Sequence, residues 1–243
     1  MKVVAIIQAR MESTRLPGKI LMDLGGETML TRVLNRVSRA RNVDMAVVAT
    51  TDRSADDAVI RLGEKKGWQL FRGSSEDVLD RYYQAAKFYQ AEAVVRITAD
   101  CPLIEPEVID KVVGEFLSSY PETDYVSNLL ERGFPRGLDT EVFSFGALEK
   151  AWREDTDLSR REHVTPYIWG QPRKFRMKNV GNDKDYSGMR WTVDTAEDLA
   201  FVRKIYGYFP DDKFGWEEVI QLLTAHPDWL EINRNVRQKA VPS

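Results

Sequence analysis

The 243-residue sequence predicts an α/β fold, with a mostly parallel central sheet flanked by helices. Strand-like and helix-like patterns alternate through its first half, as a sheet built with crossover helices requires. An apolar strand, Val3-Val4-Ala5-Ile6-Ile7, opens the chain and runs straight into a loop carrying three cations, Arg10, Arg15 and Lys19. The length fits one large α/β domain, or a domain with a small lobe, and suffices to bury a sizeable core.

The elements follow in order. Met29, Leu30, Val33, Leu34 and Val37 fall at helical spacing within 28–38, and residues 45–50 form a second strand ending in Thr51-Asp52. Residues 54–66 predict a helix with Ser54 as its cap, Asp57 placed to complete a capping box and Gly67 as its stop. A short strand over 69–71 leads into Gly73-Ser74-Ser75, a helix spans 76–89, and a strand over 93–97 delivers Asp100 to its carboxyl end. The second half is less regular. It reads as a helix over 106–119, strands over 125–128 and 140–145, and helices over 158–169 and 195–209. The alternation over 175–180 suits an edge strand or a dimer arm, and 210–227 adds one peripheral helix. Residues 233–243 read as a mobile polar tail, and a single domain spanning 1–243 is expected.

Composition bounds the function. Hydrophobic residues at 43% and charged ones at 30% are ordinary for a soluble protein, and a net charge of −3 argues against a general nucleic-acid or membrane binder. The one cysteine, Cys101, excludes an internal disulfide and suits a reducing compartment, so a cytoplasmic protein is expected. No N-terminal signal is legible, and no apolar run approaches the roughly 20 residues that cross a bilayer. With only two histidines, His163 and His226, a multi-histidine metal site within one chain is excluded, so any catalytic metal must lean on carboxylates.

The loop after the first strand is the strongest functional signal. Ligands of open α/β sheets bind beyond the carboxyl ends of the strands, and cations with free backbone N–H groups there suit a polyphosphate. Arginine makes bidentate phosphate contacts, lysine supplies a mobile point charge, and Pro17-Gly18 bends the chain just before Lys19. No GxxxxGK[ST] string and no GxGxxG turn is present, so a P-loop and a dinucleotide fold are excluded. Asp100 and Asp194 stand where strand patterns end, and two such carboxylates can share a magnesium ion completed by water and phosphate oxygens. Asp194 also precedes a helix, where it could serve as an N-cap. Thr51, Asp52 and Ser74 end the second and third strands, within reach of a base or ribose, with Ser74 or Ser75 alternatively a helix cap. Arg136 and Arg161 are candidates for an acidic ligand by charge, and His163 opens a helix nearby.

The strings IIQARMESTRLPGK, DCPL (100–103) and EHVTPYI (162–168) resemble the cytidylyltransferase family that makes CMP-activated sugars, in its branch of spore coat polysaccharide biosynthesis proteins. The resemblance spans roughly residues 1–208, and Glu12 departs from it by standing where that branch often carries glycine. It implies a single Rossmann-like, GT-A-like nucleotidyltransferase domain that uses Mg2+ and CTP to activate a sugar, with pyrophosphate released. It implies Asp100 and Asp194 as metal ligands, and Arg10, Arg15 and Lys19 as the cations on the triphosphate and the departing pyrophosphate. Gln8, Ala9, Ser13, Thr51, Asp52 and Ser74 would complete the nucleotide site. Arg81, Arg136, Asp139, Arg161 and His163 are the expected sugar contacts. A homodimer is implied as well, formed by a sugar-binding and dimerisation subregion at 120–190 with Phe143, Trp169, Phe175 and Met177 at its interface. Two rival readings are a nucleotide-sugar glycosyltransferase and a non-catalytic coat-assembly protein that keeps the fold. The first lacks a D-x-D string on a strand end, since Asp183-Lys184-Asp185 sits in a turn-like flank.

Overall fold

Every residue of Val3–Ile7 in strand β1 (Val3–Gln8) is buried, because helices cover both faces of the sheet at this strand. Val3, Ala5 and Ile7 face helices α1 (Met29–Val37) and α4 (Pro106–Ser119), while Val4 and Ile6 face α3 (Val78–Phe88) and α5 (Phe145–Glu154). This is the period of two in a pleated strand, each parity packing into its own core. The computed structural model describes residues 1–239.

The remaining strands are β2 (Met45–Thr51), β3 (Gln69–Gly73), β4 (Ala93–Thr98), β5 (Tyr125–Ser127), β6 (Glu141–Ser144) and β7 (Met177–Asn179). They form one sheet in the order β3-β2-β1-β4-β6-β5-β7, parallel throughout except that β6 runs against β4 and β5. The chain leaves β1 toward β2 but returns on its other side as β4, so a topological switch point falls between β1 and β4. Gln8 and Thr98 are in register there, and the loops after both strands open into one cleft. A third core lies to one side, where α8 (Ala196–Tyr208) and α9 (Trp216–Ala225) pack around the fully buried Trp191.

Several elements depart from the sequence expectation. Ser54 caps nothing: a 3-10 turn over Ser54–Asp56 precedes α2 (Asp57–Lys66). The buried Asp56 carboxylate instead accepts from the Met11 and Thr51 backbone N–H groups, tying the loop after β1 to β2, and Asp57 pairs with Arg72. The helix expected from 76 begins at Val78, with Asp77 as its cap through Asp80 N–H. The helix expected over 158–169 is two short pieces, α6 (Leu158–Arg161) and α7 (Pro166–Trp169), parted around Val164 at φ 70°. Pro166 brings no N–H to a continuous helix and suits only the first turn of a new one. Helix α5, absent from the sequence expectation, starts directly after β6 on the Ser144 cap. Residues 175–180 resolve as the edge strand β7, paired to β5. Phe143 and Phe175 are buried in the core of one chain, which removes them from any interface, whereas Trp169 and Met177 stay partly exposed.

Candidate active site

Gly18, at φ 69°, turns the chain at the end of the β1 loop, where its N–H donates to Met11 O at 2.9 Å. A residue with a Cβ is strained in that left-handed conformation. The turn sends Lys19 inward, so that this lysine is only 7% exposed. Its Nζ donates to Asp100 Oδ2 at 2.7 Å, to Val193 O at 2.7 Å and to Asp194 Oδ1 at 3.0 Å. Burial alone would lower the Lys19 ammonium, but the two carboxylates outweigh it and hold its pKa above the ordinary lysine value. Burial would likewise raise Asp194. Lys19, Arg190 and Arg15 overcome this and hold the carboxyl below its usual range.

The two aspartates meet because Val193 N–H donates to Asp100 O at 2.8 Å, which lays the chain before Asp194 along the end of β4. That chain is no strand of the sheet; among the described residues its pairing is a single bridge between Arg136 and Arg190. Nor is Asp194 the cap of α8, since Thr195 fills that place in a capping box with Asp198. Asp198, fully buried, accepts from the Asp194 and Thr195 N–H groups and from Arg190 Nε. Arg190 and Arg15 then each reach Asp194 Oδ2 at 2.8 Å.

This cluster sits at one side of a cavity of about 1270 Å³, larger than the roughly 300–1,000 Å³ common for a single ligand. Gln8, Ala9, Arg10, Ser13, Arg15, Lys19, Arg81, Asp100, Arg136, Asp139, His163 and Asp194 all line it. Thr51, Asp52, Ser74 and Arg161 do not. The Thr51 hydroxyl is held by Asp56, Ser74 Oγ accepts from Asp77 N–H, and Arg161 is spent on Asp77 and the carbonyls of Trp152 and Asp155. At the mouth Arg10 meets Glu162 at 3.0 Å, and Glu12 is neutralised by Arg53 at 2.7 Å. The carboxylate at position 12 therefore already has a cationic partner outside the Lys19 cluster.

Among the described residues, two of the guanidinium groups that line the cavity have no carboxylate partner. Arg81, 1% exposed, donates to Ser74 O, leaves its Nε without a partner, and is held below the ordinary arginine value by burial and then by Arg10. The Arg136 side chain has no hydrogen bond among the described residues, and burial followed by Arg132 lowers it as well. Asp139 is committed to Arg132 at 2.8 and 3.2 Å. His163 is pushed down by burial and then by Arg96, which favours the neutral imidazole.

The sequence reading passed over a buried network in the cavity wall. Arg96 and Glu141 are register partners on β4 and β6, and their side chains pair, while Tyr125 and Thr165 each donate to Glu141 Oε1 at 2.6 Å. A charge inside each of two otherwise apolar strands was the available signal. Asp198, Arg190 and Arg132 were also missed, since their roles arise only from the fold.

The cationic loop after β1, the paired Asp100 and Asp194 beside the buried Lys19, and the size of the cavity lie together at the carboxyl ends of β1 and β4. Residues 4–225 match the cytidylyltransferase family model, and the chain belongs to that family. The chain is 40% identical over 243 residues to an uncharacterized protein of Methanocaldococcus jannaschii, covering 99% of this chain and 98% of that one. It is 32% identical over 236 residues to the spore coat polysaccharide biosynthesis protein SpsF of Bacillus subtilis, covering 93% and 95% respectively. The structure of a cytidylyltransferase from Leptospira borgpetersenii superposes with a TM-score of 0.92 at 35% identity, covering 99% of this chain and all of that one. The protein is thus an enzyme of the nucleotidyltransferase class.

Proposed function

We propose that the enzyme transfers CMP from CTP to a hydroxyl of an acidic sugar in the presence of Mg2+, supplying an activated sugar for surface polysaccharide synthesis. The observation that carries this reading is the Lys19–Asp100–Asp194 cluster, set beside Arg15 in a cavity with room for nucleotide and acceptor together. The sugar oxygen forms a bond to the α-phosphorus in line as the bond to the β-phosphate oxygen breaks. CMP-sugar and pyrophosphate leave, and the hydroxyl proton is released. Little covalent work falls to the protein in such a transfer, so positioning and charge neutralisation dominate. Arg10 and Arg15 would take the growing charge of the pyrophosphate, while Lys19, expected there too, has its three N–H bonds committed to Asp100, Val193 O and Asp194 and would hold the two acids in place.

The donor set fits a hard dication. Asp100 and Asp194 would be the protein ligands, with phosphate and water oxygens completing the shell, since no group of three or more His, Cys, Asp or Glu side chains gathers among the described residues to hold a metal alone. The Lys19 ammonium touches both carboxylates, which brings the two acids to one point of the cavity. Bound there, Mg2+ would polarise the phosphate and acidify the attacking hydroxyl. Because Lys19, Arg15 and Arg190 already neutralise these carboxylates, the pair would hold a dication weakly without the added negative charge of a polyphosphate.

Arg136, whose side chain has no hydrogen-bond partner among the described residues, is our receptor for the sugar's carboxylate, with His163 lining the same cavity. A cytoplasmic location fits the triphosphate substrate, and no helix of the described residues is long and apolar enough to cross a membrane. A homodimer is part of the same reading, and among the residues named for it Trp169 and Met177 remain available. Light scattering in solution tests that point.

The activity is tested by pyrophosphate release from each of the four ribonucleoside triphosphates, with Mg2+, against acidic and neutral sugars. Sugar-dependent release with CTP alone is the expected result. Release that depends on another triphosphate, or CTP that fails to bind at all, overturns the proposal.

A further inference from the structure

After the helical turn at Pro227–Glu231 the chain does not leave the molecule but returns to the phosphate loop. Asn233, buried, anchors it: Nδ2 donates to Arg190 O and to Asp198 Oδ1, both at 3.0 Å. Val236 N–H closes a turn onto Asn233 O at 3.0 Å. The carbonyl of Arg237 then accepts from Arg15 Nη1 at 3.2 Å, Gln238 Oε1 accepts from Arg190 Nη1, and Lys239 Nζ donates to Thr14 Oγ1 at 3.2 Å. Gln238 and Lys239 both line the cavity. The expected tail of 233–243 is therefore, over 233–239, a strap tied to Arg15, Arg190 and Asp198, the side chains that hold Asp194. Residues 240–243 lie outside the described residues.

We propose that this strap is a working part of the polyphosphate site, with Lys239 binding the β- and γ-phosphates beside Arg15. Among the described residues the Lys239 ammonium has a neutral hydroxyl, that of Thr14, as its partner. A phosphate oxygen is the stronger, charge-assisted acceptor, and Thr14 belongs to the loop that would hold it. Gln238 and the Arg237 carbonyl occupy donors of Arg190 and Arg15, so they keep both guanidinium groups aimed at Asp194. The inference rests on the polyphosphate reading of this cavity but not on the identity of the base.

Calorimetric titration of the full chain, Lys239→Ala, Lys239→Arg and a chain ended after Val236 tests it, with CTP, CMP and inorganic triphosphate as probes. Circular dichroism of each variant confirms the fold. Lys239→Ala is expected to weaken CTP and inorganic triphosphate roughly three- to tenfold while leaving CMP unchanged, with Lys239→Arg restoring most of the loss. The shortened chain is expected to lose at least as much. Equal weakening of CMP and CTP, or no weakening of either polyphosphate, overturns the role of the strap while leaving the nucleotide reading standing. A native chain that binds inorganic triphosphate but no CTP removes the nucleotide reading and leaves the strap. Binding of neither removes both.

Discussion

Replacing Lys19 by methionine keeps a buried stem of similar length and removes the ammonium that joins Asp100 to Asp194. Breaking a buried ion pair from one side costs about 3–5 kcal/mol when the survivor is left uncompensated. Here Asp194 keeps Arg15 and Arg190 at 2.8 Å each, and the Asp100 side chain is 26% exposed, so other cations and water recover part of that cost. The expected destabilisation is about 1–2 kcal/mol at neutral pH, or roughly 2–8 °C in melting temperature for a chain of this size. Its pH dependence has a definite sign. Asp194 is held below its ordinary 3.8, so it adds stability above that value and loses it as pH falls through the still lower folded value. Lys19 is held above 10.5, so its contribution is complete below that value and disappears as pH rises through the folded one. The gap between native and variant should therefore be widest between about pH 5 and about pH 9 and narrow in acid, as Asp194 protonates. Urea denaturation across that range measures it. Adding Asp100→Asn to the Lys19→Met chain should restore part of the loss. A variant as stable as the native chain at neutral pH, or a gap that stays constant into acid, would refute the cluster's electrostatic role.

Asp100→Asn and Asp194→Asn should each lower kcat on the order of 10²-fold or more, and full turnover by both removes the metal assignment. Arg136→Met should raise KM for an acidic sugar about tenfold and leave a neutral acceptor unaffected, so an equal effect on both argues against carboxylate recognition. Glu141→Gln leaves the Arg96 guanidinium without its countercharge in the cavity wall and should cost about 3 kcal/mol in thermal or urea unfolding. An unchanged midpoint would show that water satisfies Arg96.

Much of the site was legible because it lies in short strings. The β1 strand, the cations that follow it, Pro17-Gly18 and Asp100 stand within a few residues of the strand ends that present them, whereas Asp194 is placed by the Val193 contact with Asp100. Hydrophobic periodicity located every strand of the sheet, since burial of one face or both is a local property of a strand. Helix α5 escaped because Phe145-Gly146 directly continues a strand pattern, and only the Ser144 cap marks where one element becomes the other. Arg161 looked like a ligand by charge, yet its donors are consumed by Asp77 and two carbonyls brought in from α3 and α5.

By itself the sequence determined the class of fold, the cationic loop after β1 and the place of Asp100 at the end of β4, because each depends on neighbouring residues and on the direction of one strand. What occupies the space between the acids was decided by the tertiary structure: Lys19 meets Asp100 across 81 residues and Asp194 across 175. The Arg96–Glu141 pair likewise exists because β6 inserts antiparallel beside β4 in one register, and a shift of one residue would turn those side chains to opposite faces. Lys239 reaches Thr14 over a separation of 225 residues. No pattern of period 2 or 3.6 encodes such distances. They follow from how the layers close, and closure is where this enzyme assembles its charge.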